Sequence, residues 1–153
     1  MNVKAIMTDG VEALSVEDTA LKASRLMKKY DIGCLPVLDT NGEVIGMVTD
    51  RDIVVRVFAD ILPMNTKVKS FMTSPVICVN ETDEVGMTIS KMSEYQVRRL
   101  PVIDRNNTLV GMISLSDLAL SQLTDARSQV VLKNVSEPSH SSAVEADVDD
   151  FPL

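Results

Sequence analysis

The sequence predicts an α+β (mixed α/β) fold made of two tandem β-α-β-β-α repeats. Residues 3–53 align without a gap on residues 68–118 at an offset of 65, with 16 of the 51 positions identical. Self-similarity at a fixed offset marks a repeated supersecondary unit. Each copy sets a stretch of helical period beside short apolar runs. In the first copy two such runs flank Thr40-Asn41-Gly42-Glu43, and Asn-Gly between apolar runs is a strong hairpin signal.

Each repeat opens on a paired motif, Val3-Lys4 with Met7-Thr8 and Val68-Lys69 with Met72-Thr73. A short apolar strand comes next, clearest as Val76-Ile77-Cys78-Val79. A helix follows over roughly 18–30 and 83–95, with Ala20, Ala23, Met27 and Tyr30 at helical spacing marking its buried side. Leu35-Pro36-Val37-Leu38 is the next strand and Val44-Ile45-Gly46-Met47-Val48 the returning one. A second helix runs from Asp52. Residues 1–62 thus form the first repeat, 63–67 a linker and 68–124 the second repeat. Residues 125–153 carry a net charge of −4, read as Ser-, Pro- and acid-rich from Ser136, and are expected to be largely disordered. Residues 128–135 fit either a short strand or a helix extension.

The second helix of the first repeat is apolar nearly all round, through Ile53, Val54, Val55, Val57, Phe58, Ile61 and Leu62. A surface helix keeps a polar face, so either the two repeats bury this one between them or a second copy of the chain does. Leu118, Leu120 and Leu123 make a milder version. The nine methionines recur at equivalent places (Met7, Met27 and Met47; Met72, Met92 and Met112) and read as core filling.

Composition narrows the function. Net charge is −7, which disfavours nucleic acid and anionic membranes as partners. No apolar run approaches the length of a membrane span. Met1-Asn2-Val3-Lys4-Ala5-Ile6 lacks the apolar stretch of a signal peptide, so a cytoplasmic location is expected. Cys34 and Cys78 lie far apart and read as thiols in a reduced compartment. The single histidine, His140, sits in the acidic tail. Few acid–base, nucleophilic or zinc constellations remain, and the chain is not expected to be an enzyme or to hold a metal or catalytic cofactor.

Leu35-Pro36-Val37-Leu38-Asp39 followed by Gly46-Met47-Val48-Thr49-Asp50-Arg51-Asp52 is repeated as Leu100-Pro101-Val102-Ile103-Asp104 and Gly111-Met112-Ile113-Ser114-Leu115-Ser116-Asp117. In order, spacing and duplication these segments resemble a cystathionine-β-synthase (CBS) domain pair, or Bateman module, in a stand-alone protein. The resemblance covers about residues 3–122. It implies two repeats about a pseudo-twofold axis and a homodimer. It also implies an energy-sensing or other regulatory role toward an unidentified partner protein. The implied ligand is an adenosine nucleotide or derivative (AMP, ADP, ATP, S-adenosylmethionine or NAD) in the cleft between repeats. The alternative is a dimerisation or protein-interaction module that binds no nucleotide.

Gly46 and Gly111 lack side chains in the returning strand, which lets a ligand or another backbone approach. Thr49 and Ser114 start a helix, where backbone N–H groups favour an anion such as phosphate. Asp52 and Asp117 follow three residues on, and the resemblance makes them acceptors for a ribose diol. Ser/Thr-x-x-Asp is also a helix-capping pattern, and both readings stand. Arg98 and Arg99 are either solvated cations near a helix end or phosphate ligands; Gly33 and Cys34 replace them in the first repeat. A phosphorylated ligand is therefore expected at Asp117 rather than Asp52. For adenine, Val76, Ile77, Val97 and Pro101 are the slot candidates in repeat 2. Val11, Ala13, Ile32 and Pro36 are their counterparts in repeat 1, where Glu12 replaces Ile77. All of these also fit a plain core. Asp50 and Arg51 add charge at the first site alone.

Overall fold

The computed structural model describes residues 1–121; the expectations for Leu123, His140 and the acidic tail lie outside them. Each repeat contributes a parallel strand pair, a hairpin and two helical segments. In the first, β2 (Leu14–Ser15) leads to α1 (Ala20–Tyr30), β3 (Cys34–Leu38), β4 (Val44–Thr49) and α2 (Asp50–Asp52), which runs on as a π-helical stretch, Ile53–Phe58. In the second, β5 (Val79–Asn80) leads to α3 (Val85–Tyr95), β6 (Arg99–Ile103), β7 (Leu109–Ser114) and α4 (Leu115–Ser121). The β-α-β-β-α order and mixed class are those expected. The opening strands are shorter: of Val76 to Val79 only Val79 is paired, and the second helix starts at Asp50 rather than Asp52.

Registers match at the same offset. Cys34 pairs with Thr49 in the first hairpin and Arg99 with Ser114 in the second, with the register shift after Val37 in one and after Val102 in the other. The turns have one physical cause. The Asp39 carboxylate accepts from Asn41 N and Glu43 N at 2.8 and 3.0 Å, and Asp104 accepts from Asn106 N and Thr108 N at 2.8 and 2.9 Å. Such Asx bonds imitate a backbone turn. Gly42 supplies a φ of 81° in one turn, where Asn107 holds 61° in the other.

The opening motif of each repeat crosses to the other repeat. A strand β1 (Thr8–Asp9) adds to the edge of β7, with Thr8 opposite Met112 and Asp9 opposite Gly111. Its counterpart is a bridge between Thr73 and Met47, bonded both ways at 2.8 and 3.0 Å. Val3 is fully buried with Val79, Val85, Leu100 and Ile113; Val68 and Phe71 are buried with Leu14, Leu35 and Val48. Each aliphatic core is thus completed by the other repeat's first residues. Gly46 and Gly111 make the exchange possible. A Cβ on Gly111 would lie 2.6 Å from Thr8 O, and one on Gly46 2.6 Å from Met72 Sδ. Of the two approaches the sequence left open there, the other repeat's opening segment is the one seen: backbone at Gly111, and the Met72 side chain with Thr73 O at 3.1 Å at Gly46.

Helix α1 begins at Thr19, whose Oγ1 accepts from Lys22 N at 3.2 Å, and stops at Asp31 in the left-handed region; α3 stops the same way at Gln96. Ala20, Ala23 and Met27 are buried as expected, but Tyr30 is not: it is 43% exposed, at the helix end beside the cavity described below. In α3 the counterpart of Ala23 is Thr88, fully buried, with no hydrogen-bond partner for Oγ1 among the described residues. Among the described residues, Val57 is the one apolar side chain of the second helix that is buried, with Ile53 half-buried. Phe58 is 80% and Ile61 91% exposed, so the repeats do not cover this face between them.

Candidate functional site

A cavity of about 360 Å³ opens where the two repeats meet, within the usual size range for small-molecule sites. Repeat 2 supplies Arg99, Met112, Ser114 and Asp117. Repeat 1 supplies the loop from Thr8 to Glu12, the end of α1 at Tyr30 and Asp31, and Ile32, Cys34 and Pro36. This corrects the expected grouping. Asp117 does not share its cleft with Ile77, Val97 and Pro101; Ile77 and Val97 pack against the second core and Pro101 is buried. The apolar residues that share the cavity with Asp117 include Val11, Ile32 and Pro36 of repeat 1; β1, paired on β7 at Thr8 and Asp9, leads into Val11. Ala13, of the same set, is outside the lining, as is Arg98, whose carbonyl accepts from Leu115 N at 2.9 Å.

The Asp117 carboxylate is half committed. Oδ2 accepts from Ser114 N at 2.7 Å and Ser114 Oγ at 2.6 Å, while Asp117 N donates back to Ser114 Oγ at 3.2 Å. That is the capping arrangement. Among the described residues no protein donor reaches Oδ1, so one oxygen beside the cavity is left to accept. The cap and the ligand-facing readings therefore coexist in one side chain.

Asp52 is different. It is 8% exposed, and Oδ2 accepts from Thr49 N at 2.9 Å while Asp52 N donates to Thr49 Oγ1 at 3.1 Å. Its Oδ1 is 3.5 Å from Thr73 Oγ1 and 3.9 Å from Arg56 Nε. Arg56 is held there because its Nη1 donates to the carbonyls of Phe71 and Met72 at 3.0 and 3.3 Å. Thr49 and Asp52 do not line the cavity. Arg56 has Ser121 as its counterpart, whose hydroxyl only donates to Leu118 O at 2.9 Å.

Sequence reasoning missed Arg56, Asp9, Asp31 and Cys34 as site neighbours. The available signal was the offset itself: Cys34 and Arg99 are counterparts, and both reach the cavity from the starts of β3 and β6. Burial pushes the Cys34 thiol up to about 11; Arg99 pulls it back, and Asp52 and Asp50 push it further up. Burial likewise raises Cys78. Asp50 lies against Gly33, where a Cβ would come within 2.9 Å of its Oδ2, which explains why the first repeat has no side chain at the counterpart of Arg98. Among the described residues no three His, Cys, Asp or Glu side chains gather to hold a metal ion, and no helix is long and apolar enough to cross a membrane.

The CBS domain matches this chain twice, over residues 3–58 and 68–123. The chain belongs to the CBS-domain family. It is 36% identical over 135 residues to the CBS domain-containing protein YhcV of Bacillus subtilis, a match covering 88% of this chain and 95% of that one. Among solved structures, Hypoxic Response Protein I with two coordinated zinc ions superposes with a TM-score of 0.72 at 32% identity, covering 78% of this chain and 98% of that one. The CBS domain pair of protein MJ0100, in complex with 5′-methylthioadenosine and S-adenosyl-L-methionine, gives 0.67 at 25% identity over 79% of this chain and 94% of that one. The exchanged strands and paired hairpins described above are thus those of a CBS pair.

Proposed function

We propose that this CBS pair is a regulatory module that binds an adenosine nucleotide or derivative in the cavity between its repeats. One observation carries the reading. Among the described residues Asp117 keeps an uncommitted carboxylate oxygen, at a cavity also lined by the apolar Val11, Ile32 and Pro36. A flat base fits against these apolar residues, and a ribose diol donates to Asp117 Oδ1. Thr49 and Asp52, closed by Arg56, are the weaker site. The complex of MJ0100 with two adenosine compounds supports the same ligand class. Because the cavity walls come from both repeats, a bound ligand holds them in one arrangement. It biases that arrangement by its differential affinity for the alternatives, and a partner protein reads the result.

The exposed apolar face of Val54, Val55, Phe58, Ile61 and Leu62 supports a homodimer in which a second copy covers it. It also favours the second reading, an interaction module that needs no nucleotide. A thermal-shift screen against AMP, ADP, ATP, NAD, S-adenosylmethionine and adenosine tests both. A ligand that binds only the folded state stabilises it by about 2.7 kcal/mol at 100 times Kd. A dose-dependent rise that disappears in Asp117→Asn supports the sensor. No rise at saturating concentrations of any compound leaves the interaction module.

A further inference from the structure

We propose that the cavity selects adenosine compounds whose 5′ substituent is neutral or cationic, and turns away nucleoside di- and triphosphates. The inference rests on the nucleotide reading above and assigns the ligand's charge.

Two independent features of the site carry it. The first is its balance of charge. Asp9, Glu12 and Asp31 line the cavity from repeat 1, in addition to Asp117, and Arg99 is the single cation among the described lining residues. Arg98, which the sequence offered as a second phosphate ligand, is outside. A polyphosphate would meet three carboxylates beyond the ribose acceptor with one guanidinium to offset them, and like charges at close range repel. A sulfonium or ammonium group would meet the same carboxylates as partners, and an uncharged thioether would be indifferent to them.

The second feature is the backbone at the helix starts. Phosphate at a helix N-terminus needs N–H groups with no other partner. At α4, Ser114 N and Asp117 N are taken by the Ser114–Asp117 box and Leu115 N by Arg98 O. At α2, Thr49 N and Asp52 N are taken by the Thr49–Asp52 box, Asp50 N by Gly33 O at 3.0 Å and Arg51 N by Asp50 Oδ1 at 2.9 Å. All four donors at α2 are thus engaged, and at α4 Ser116 N is the one left without a protein acceptor among the described residues, at a residue that does not line the cavity. A phosphate at either helix start would find at most one open backbone donor.

The test is calorimetric titration of the full chain with 5′-methylthioadenosine, S-adenosylmethionine, AMP and ATP. The neutral and cationic compounds are expected to bind at least about tenfold more tightly than ATP, about 1.4 kcal/mol. That gap is expected to shrink as salt rises, because exposed charges are screened. It is also expected to shrink in the combined variant Asp9→Asn, Glu12→Gln and Asp31→Asn; asparagine keeps the left-handed conformation of residue 31. ATP binding as tightly as 5′-methylthioadenosine overturns the charge inference and leaves the adenosine site standing. A gap indifferent to salt also overturns it, since the selection would then not be electrostatic. Failure of all four compounds to bind removes both the inference and the site reading beneath it.

Discussion

Thr49–Asp52 and Ser114–Asp117 are the same four-residue box at the same place in two copies of one fold, and they have different fates. In both, one carboxylate oxygen caps the helix. In the first, Arg56 reaches back along the helix to within 3.9 Å of the other oxygen, anchored on the carbonyls of Phe71 and Met72. In the second, Ser121 stands where Arg56 would, and its hydroxyl turns onto its own helix at Leu118 O. One substitution after duplication thus separates a closed, 8% exposed carboxylate from one that faces a cavity. A repeated motif places a group; its nearest non-repeated neighbour decides whether the group is available.

The strongest way to break the comparison is at the two glycines. Gly111→Ala sets a Cβ 2.6 Å from Thr8 O, a backbone atom, while Gly46→Ala sets one 2.6 Å from the movable sulfur of Met72. Overpacking of this kind costs about 1–3 kcal/mol. Thermal melts should place Gly111→Ala at the upper end and Gly46→Ala below it. Only Gly111→Ala should also weaken ligand binding, because β1 carries the cavity loop. Equal losses would mean that β1 yields as easily as Met72.

The two aspartates sharpen it next. Asp52→Asn should cost about 1–2 kcal/mol of stability, as a cap with a further charged neighbour, and leave adenosine affinity within error of wild type. Asp117→Asn should cost less stability and most of the affinity. Paired denaturation and calorimetric titrations read both quantities, and the reverse pattern would exchange the roles assigned to the two sites.

The smallest effect is electrostatic. Glu17, in repeat 1, is paired with Lys67 and, at 2.7 Å, with Lys69, whereas its counterpart Thr82 carries no charge. Hydrogen bonds from the two lysines hold the Glu17 carboxyl at about 2, well below its ordinary value. A folded-state value below the unfolded one stabilises the fold above the unfolded value near 4.3. That stabilisation is lost as pH falls through the folded value. The pair is exposed, so the contribution is small. An NMR titration should show Glu17 ionising near 2 in the wild type and near the ordinary carboxylate value in Lys67→Ala/Lys69→Ala. A wild-type value already at the ordinary position would mean the pairs do not persist in solution.

The duplication, the β-α-β-β-α order, both hairpins and the Ser/Thr-x-x-Asp capping pattern were legible in the sequence because each depends on residues within a few positions of one another. Asp39 and Asp104 build their turns two and four residues on, and Thr49 and Ser114 cap three residues on. The family was legible for the same reason: Leu-Pro-Val and Gly-x-x-Thr/Ser-x-x-Asp are local patterns whose repetition is counted along the chain. Tertiary structure decided the rest. That β1 joins β7, that Asp117 shares its cavity with Val11 and Ile32 rather than Ile77 and Val97, that Arg99 lines the cavity and Arg98 does not, and that Arg56 closes Asp52 all require distances between segments far apart in sequence. Those distances follow from where two buried cores place the strands between them. Local pattern decides which groups exist; packing decides which of them meet.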